Sequence, residues 1–330
     1  MTERVKRWLS FLLRLGLSAV LLAWLFTQVN WKDIIGAVRQ ADPLLLCAAF
    51  AVTVLLQFLV LVRWMLFMRA LGLSATFWQV CRYFLIGLFG NLFLPTSIGG
   101  DVIKAIGLSR GVGQKPKVFA SVVLDRLSGF AGLVIVALIA FLVGSRIVDA
   151  PVVIIPIVIL TVLSLFVGGM LFNQGFYRFF GGLVRKFPRI QKGIMEMHED
   201  VNLMKGKKRT GVGCILLSCV VQVLGAYLYY IISLAMHLQV SLLHFLIFSP
   251  IVSAATFLPS IGGLGVREVG WKTFLTKVGV GADAAVGLSL ISFFFVIVVG
   301  LIGGVIYVTT VPGRRVQCDE EGPGPVPSAP

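Results

Sequence analysis

Six ionisable residues stand inside or beside otherwise apolar stretches of this sequence: Asp101, Lys104, Asp125, Arg126, Arg267 and Glu268. Three are acidic and three basic. Each costs about 2.5 to 3.5 kcal/mol at the centre of a membrane helix, so a set this large does not face lipid unpaired. Two chemistries suit the set. The residues can neutralise one another as structural ion pairs, or Arg126, Arg267 and Lys104 can hold a phosphate while Asp101, Asp125 and Glu268 balance the empty site or carry protons. Asp101 and Lys104 are three apart on one helix face and can pair there, with Asp125 and Arg126 placed to meet them. Asp101 also suits the cap of its own helix.

The elements that must position these charges carry two related breaks. One reads Leu94-Pro95-Thr96-Ser97-Ile98-Gly99-Gly100-Asp101 and the other Leu258-Pro259-Ser260-Ile261-Gly262-Gly263-Leu264-Gly265. Pro95 and Pro259 lack an amide hydrogen and disrupt the preceding turn, which makes them hinges. The glycines that follow present backbone N–H groups that lipid cannot satisfy, so each break must face protein, water or a ligand. A half-helix starting near Gly100 or Asp101, and another near Gly263, would aim two positive helix ends at one anion site. Ser97, Gly99, Gly100, Ser260, Gly262 and Gly263 therefore join the six charged residues as candidate substrate contacts. By contrast, Gly129-x-x-Gly132 and Gly300-x-x-Gly303-Gly304 read as close helix packing, which needs no proline.

Composition says what surrounds these elements. Of 330 residues, 58% are hydrophobic and 13% charged, with mean hydropathy +0.97. That leaves too little polar surface for a water-soluble globule, so the fold class is all-α and polytopic in a membrane. The net charge of +15 comes in short clusters between apolar runs, which suits a membrane surface and gives no reason to expect nucleic acid. Apolar segments lie near 8–28, 44–68, 77–94, 118–144, 152–172, 211–236, 242–258 and 284–311. Eight plain crossings from a cytoplasmic N-terminus would put the loop 173–210, with its nine basic residues, outside. That breaks the positive-inside rule. Six full spans plus two re-entrant hairpins, the third and seventh segments, remove the conflict. The hairpins then enter from opposite faces as an inverted repeat, with Lys104, Arg126 and Arg267 at membrane depth.

The remaining residues carry less chemistry. The first apolar run follows a basic start but is too long for a cleaved signal, and is taken as the first span. Cys47, Cys81, Cys214 and Cys219 read as small apolar packing residues. His198 falls in the basic loop and His237 and His244 beside an external turn, with no metal-site spacing, so neither metal nor cofactor is expected. Trp8, Trp24, Trp31, Trp64, Trp78 and Trp271 fall near segment ends, as interfacial anchors do. The expected division is a membrane domain over 1–313 and a Pro-rich, disordered cytoplasmic tail over 314–330.

The ordered motifs Leu94-Pro95-Thr96-Ser97-Ile98-Gly99-Gly100-Asp101-Val102-Ile103-Lys104, Val123-Leu124-Asp125-Arg126-Leu127-Ser128-Gly129 and Leu258-Pro259-Ser260-Ile261-Gly262-Gly263-Leu264-Gly265-Val266-Arg267-Glu268 resemble the lysylphosphatidylglycerol synthase transmembrane family, also called flippase-like domain proteins. Lys104 departs mildly from the expected motif, which takes arginine or lysine there. The resemblance implies movement of a lipid between leaflets. In this family synthesis belongs to a separate soluble aminoacyl-transferase domain, and this chain is expected to lack it.

The expectation is therefore a translocase and not an enzyme, multi-pass in the plasma membrane with both termini cytoplasmic. Its partners would be an anionic lipid (aminoacylated or plain phosphatidylglycerol, or a polyprenyl-phosphate carrier) and a second copy or a separate lipid-modifying enzyme. No nucleotide-binding P-loop is visible, so an ion gradient or passive scrambling would drive it. Two other classes stay open. A membrane-embedded lipid transferase would draw its acids from Asp33, Asp42 or the six charged residues, and a secondary transporter of a small anionic solute would need an occluded site.

Overall fold

Inside lipid a single apolar segment satisfies its own backbone only as a helix, and every regular element among the described residues is helical. The structure is a computed structural model that describes residues 39–93, 99–144, 206–256 and 263–310, with Gly36 and a few isolated positions between 158 and 165. The helices are α1 (Pro43–Ala70), α2 (Phe77–Phe93), α3 (Gly99–Val112), α4 (Lys115–Gly144), α5 (Lys208–Ala235), α6 (Leu242–Ala255), α7 (Val266–Thr276) and α8 (Ala282–Thr310). The expected spans at 8–28 and most of 152–172, both breaks around Pro95 and Pro259, His198 and the tail lie outside the described residues.

Four helices, α1, α4, α5 and α8, are long and apolar enough to cross a bilayer. At 28 to 30 residues they reach about 42 to 45 Å, against a hydrocarbon core of about 30 Å. α1 shows how such a rod is closed at both ends. Pro43 opens it, and the Asp42 carboxylate accepts the Leu44 amide at 2.8 Å and the Leu45 amide at 3.4 Å, filling two of the donors that a helix start leaves over. At the far end the Lys207 ammonium donates to the Ala70 carbonyl at 2.6 Å. Asp42 thus has a structural role in helix capping.

The register of the long helices follows from a few contacts. The Asp42 amide bonds the Ala235 carbonyl at 2.9 Å while Lys207 meets Ala70, so α1 and α5 run antiparallel over their whole length. Arg63 touches Asp125 and Trp64 touches Ser121, which sets α4 antiparallel to α1. A side chain at Gly132 would come within 2.5 Å of Ser218, so α4 and α5 approach closely. This is the packing role expected of that glycine.

The other four helices form two antiparallel hairpins. α2 folds back on α3, with Tyr83 against Gly107 and Gly87 against Lys104. α6 folds back on α7, with Phe248 stacked on Phe274 at 4.7 Å and Gly270 against Val252. Over the described residues their arms, 17 and 14 residues and then 14 and 11, measure about 16 to 26 Å, less than a hydrocarbon core of about 30 Å.

α8 relates the hairpins to each other. Gly303 closes on the Leu85 backbone and Gly300 on Leu92, so α2 climbs α8 from its C-terminal end toward its middle. Arg267, at the start of α7, bonds Ser289 at 3.0 Å and lies 4.5 Å from the Phe293 ring, while the other end of α7 leads into the start of α8. The two hairpins therefore approach the middle of α8 from opposite ends. That is the inverted arrangement read from the two proline-glycine breaks.

Candidate functional site

α3 begins at Gly99, where helix N-termini leave amides unfilled. Gly100 has to be glycine, because a Cβ there would collide with the Gly87 carbonyl oxygen and come within 2.5 Å of Asn91 Oδ1. The same closeness lets Asn91 accept the Gly100 N–H at 2.9 Å. One turn on, Asp101 and Lys104 pair at 2.8 Å and Arg126 joins the other Asp101 oxygen. The triad links α3 to α4 as the spacing suggests. Lys104 is buried, 4.7 Å from the Trp64 ring and 5.7 Å from the Phe84 ring, two aromatic faces that favour a cation.

The second half-helix starts later than expected. Gly263 and Gly265 take left-handed φ angles of 78° and 84°, a region that costs other L-residues, and α7 begins only at Val266 with Gly265 as its N-cap. Glu268, fully buried, reaches back from the third helical position to accept the Gly265 N–H at 2.6 Å. Its other oxygen receives Arg267 Nη2 at 2.7 Å and Ser289 Oγ at 3.0 Å, and Arg267 Nε donates to Ser289 Oγ. A neighbouring pair on a helix start is thereby locked onto α8.

These bonds correct the expectation of two open helix ends. Asn91 and Glu268 already take amides at Gly100 and Gly265, so side-chain cations are the main positive groups of the site. The expected meeting of Asp125 with the Asp101 triad is corrected too. Asp125 pairs with Arg63 at 2.7 Å, and Arg63 Nη1 donates to Ser218 Oγ at 2.8 Å, joining α1, α4 and α5. Arg63 was not among the candidates. Its signal was a lone arginine in the apolar run Phe58-Leu59-Val60-Leu61-Val62-Arg63-Trp64, masked by its nearness to a helix end. Gly129 lies beside its guanidinium, so that glycine makes room for a charge and not for a helix backbone.

Two tryptophans also differ from expectation. Trp64 and Trp271 are fully buried and not interfacial. Trp64 donates to Ser121 Oγ at 3.1 Å, and Trp271 packs between Tyr229 and Phe245. Trp78 is exposed, as an interfacial anchor is, and Cys47 is exposed where a packing residue was expected.

All eight helices contribute to one cavity of about 460 Å³. Arg63, Lys104, Arg126 and Arg267 line it with Asp101 and Asp125, and uncharged polar groups come from Gln57, Asn91, Gln222, Ser253 and Thr256. Gly263 reaches it from the second hairpin. Ser97, Ser260, Gly262, Pro95 and Pro259 lie outside the described residues, and Gly99, Gly100 and Glu268 do not line the cavity. Among the described residues no three His, Cys, Asp or Glu side chains gather as metal ligands would.

Long apolar helices, shorter helices paired as inverted hairpins and a buried charged cavity define a polytopic helical membrane protein. The chain belongs to the family of the lysylphosphatidylglycerol synthase TM region, which it matches over residues 11–304. It is also similar to the UPF0104 membrane protein PH1989 of Pyrococcus horikoshii, at 24% identity, covering 92% of this chain and 96% of that relative.

Proposed function

We propose that this protein translocates an anionic lipid, the phosphate headgroup passing through the charged cavity while the acyl chains stay in the bilayer. The observation that carries the reading is the meeting of three guanidiniums and an ammonium in one cavity lined by both hairpins. Arg63 and Arg267 each donate to a carboxylate and a serine. Each keeps one guanidinium nitrogen with no hydrogen-bond partner among the described residues, the arrangement in which an arginine fork can still take a phosphate oxygen. The volume of about 460 Å³ suits a headgroup, within the usual range of about 300 to 1,000 Å³ for small-molecule sites.

In this reading the hairpins are re-entrant, α2–α3 from the cytoplasmic face and α6–α7 from the other, since their described arms are shorter than the hydrocarbon core and they meet at mid-helix of α8. The work is translocation and not bond-making, because each described carboxylate of the site is engaged with a cation and so is poorly placed as a general base. The test is reconstitution of the chain into liposomes with labelled phosphatidylglycerol, lysyl-phosphatidylglycerol and polyprenyl phosphate, reading leaflet exposure with time. Movement of at least one anionic lipid faster than in empty liposomes is expected. Equal rates with and without protein for every lipid would reject the proposal.

A further inference from the structure

The cavity combines cationic with uncharged polar groups in a way that bears on its substrate. Four cations line it against two carboxylates, and both carboxylates are held: Asp101 by Lys104 and Arg126, Asp125 by Arg63. Glu268, outside the lining, is fully buried by Arg267, Ser289 and the Gly265 amide. An incoming ammonium group would meet a positive wall and would have to displace an existing cation to find a partner, whereas a phosphate meets unspent donors.

Between the Arg63 level and Arg267, which packs on Ser289 and Phe293, the wall also carries neutral polar groups. Gln57 on α1 and Gln222 on α5 both line the cavity. The antiparallel register fixed by Asp42 with Ala235 and Arg63 with Ser218 brings them to the same level. Neither side-chain amide has a hydrogen-bond partner among the described residues, and an amide both donates and accepts, as a hydroxyl requires. Six residues of helix separate Gln57 from Arg63, about 9 Å along the axis. With the length of the two side chains, that is within reach of a glycerol or sugar joined to a phosphate held at Arg63.

Building on the translocation reading, we infer that the headgroup is a phosphate bearing an uncharged, hydroxyl-rich group, and that aminoacylated headgroups are disfavoured. The guanidiniums take the phosphate and the Gln57–Gln222 pair reads the hydroxyls. The test uses the full chain in liposomes with labelled phosphatidylglycerol, lysyl-phosphatidylglycerol and phosphatidic acid, which has no headgroup hydroxyls beyond its phosphate. Wild-type protein should move phosphatidylglycerol at least about tenfold faster than its lysyl ester, whose ammonium groups find no unengaged carboxylate among the described lining residues. The double variant Gln57→Leu, Gln222→Leu should slow phosphatidylglycerol about three- to tenfold, the worth of one or two hydrogen bonds, with phosphatidic acid unchanged.

Lysyl-phosphatidylglycerol moving as fast as phosphatidylglycerol overturns the headgroup assignment while leaving a lipid translocase in place, and this comparison depends on no variant. Equal slowing of phosphatidylglycerol and phosphatidic acid in the double variant, or no slowing of either, overturns the role of the glutamines. No movement of any lipid removes the translocation reading itself, and the headgroup assignment with it.

Discussion

Arg63 and Asp125 are 62 residues apart in the chain and 2.7 Å apart in space, both buried, so neither charge has water to fall back on. Replacing Asp125 by Asn strands the Arg63 guanidinium, and breaking a buried pair in this way costs about 3 to 5 kcal/mol. The single variant should lose thermal stability in detergent, and Arg63→Gln with Asp125→Asn should recover most of it. An unchanged melting temperature in Asp125→Asn would mean that the pair does not hold the bundle. Arg126 and Arg267 look alike in the sequence but are separated by their surroundings. The Arg126 side chain is 34% exposed and the Arg267 side chain 10%, and Arg267 alone guards a fully buried acid. Arg126→Gln and Arg126→Lys should therefore depress lipid movement at a near-normal melting temperature, whereas Arg267→Gln should lower the melting temperature as well. Rescue of both stability and transport when Asp101→Asn is added to Arg126→Gln would end the claim that Arg126 binds a headgroup.

The hairpins are the elements on which the site depends, and their closeness rests on missing side chains. Gly100 sits against the Gly87 carbonyl, while Gly213 in α5 has nothing within 4 Å of where its Cβ would be. Gly100→Ala should cost about 3 kcal/mol, the upper end of overpacking penalties, seen as lost monodisperse protein and a lower melting temperature. Gly213→Ala should be neutral or gain about 0.5 to 1 kcal/mol from helix propensity. Equal behaviour of the two variants would show that α2 and α3 do not pack as closely as described.

For the whole molecule, the bonded ends sort the loops into two sets. Residues 71–76, 113–114 and 206–207 share one side, and 236–241 with 277–281 share the other. The clustering of basic residues predicts that the first side is cytoplasmic. Single cysteines at Ser74 and Gly113 in a cysteine-free background should label with a membrane-impermeant reagent only from the cytoplasmic face, and cysteines at Ser241 and Gly279 only from the opposite face. Labelling of Gly113 and Gly279 from the same face would refute the opposed hairpins.

The sequence by itself determined the membrane class, the approximate extent of the described helices, a glycine-borne turn before the second half-helix at Gly263 and Gly265, and the Asp101, Lys104 and Arg126 cluster. Each of these follows from local information: hydrophobic run length, residues that break a helix, and spacings of three or four along one helix face. The partner of Asp125, the closure of the half-helix amides by Asn91 and Glu268, and the burial of Trp64 and Trp271 were decided only by the tertiary structure. In water, a helix's apolar stripe announces which face is buried. In lipid the outer face is as apolar as the inner one: α1 exposes Val54, Leu55 and Phe58 and buries Trp64, Phe67 and Met68. With no polarity contrast around the helix, the sequence cannot say which residues meet across the bundle, and only the packing of α1, α4 and α5 puts Arg63 beside Asp125.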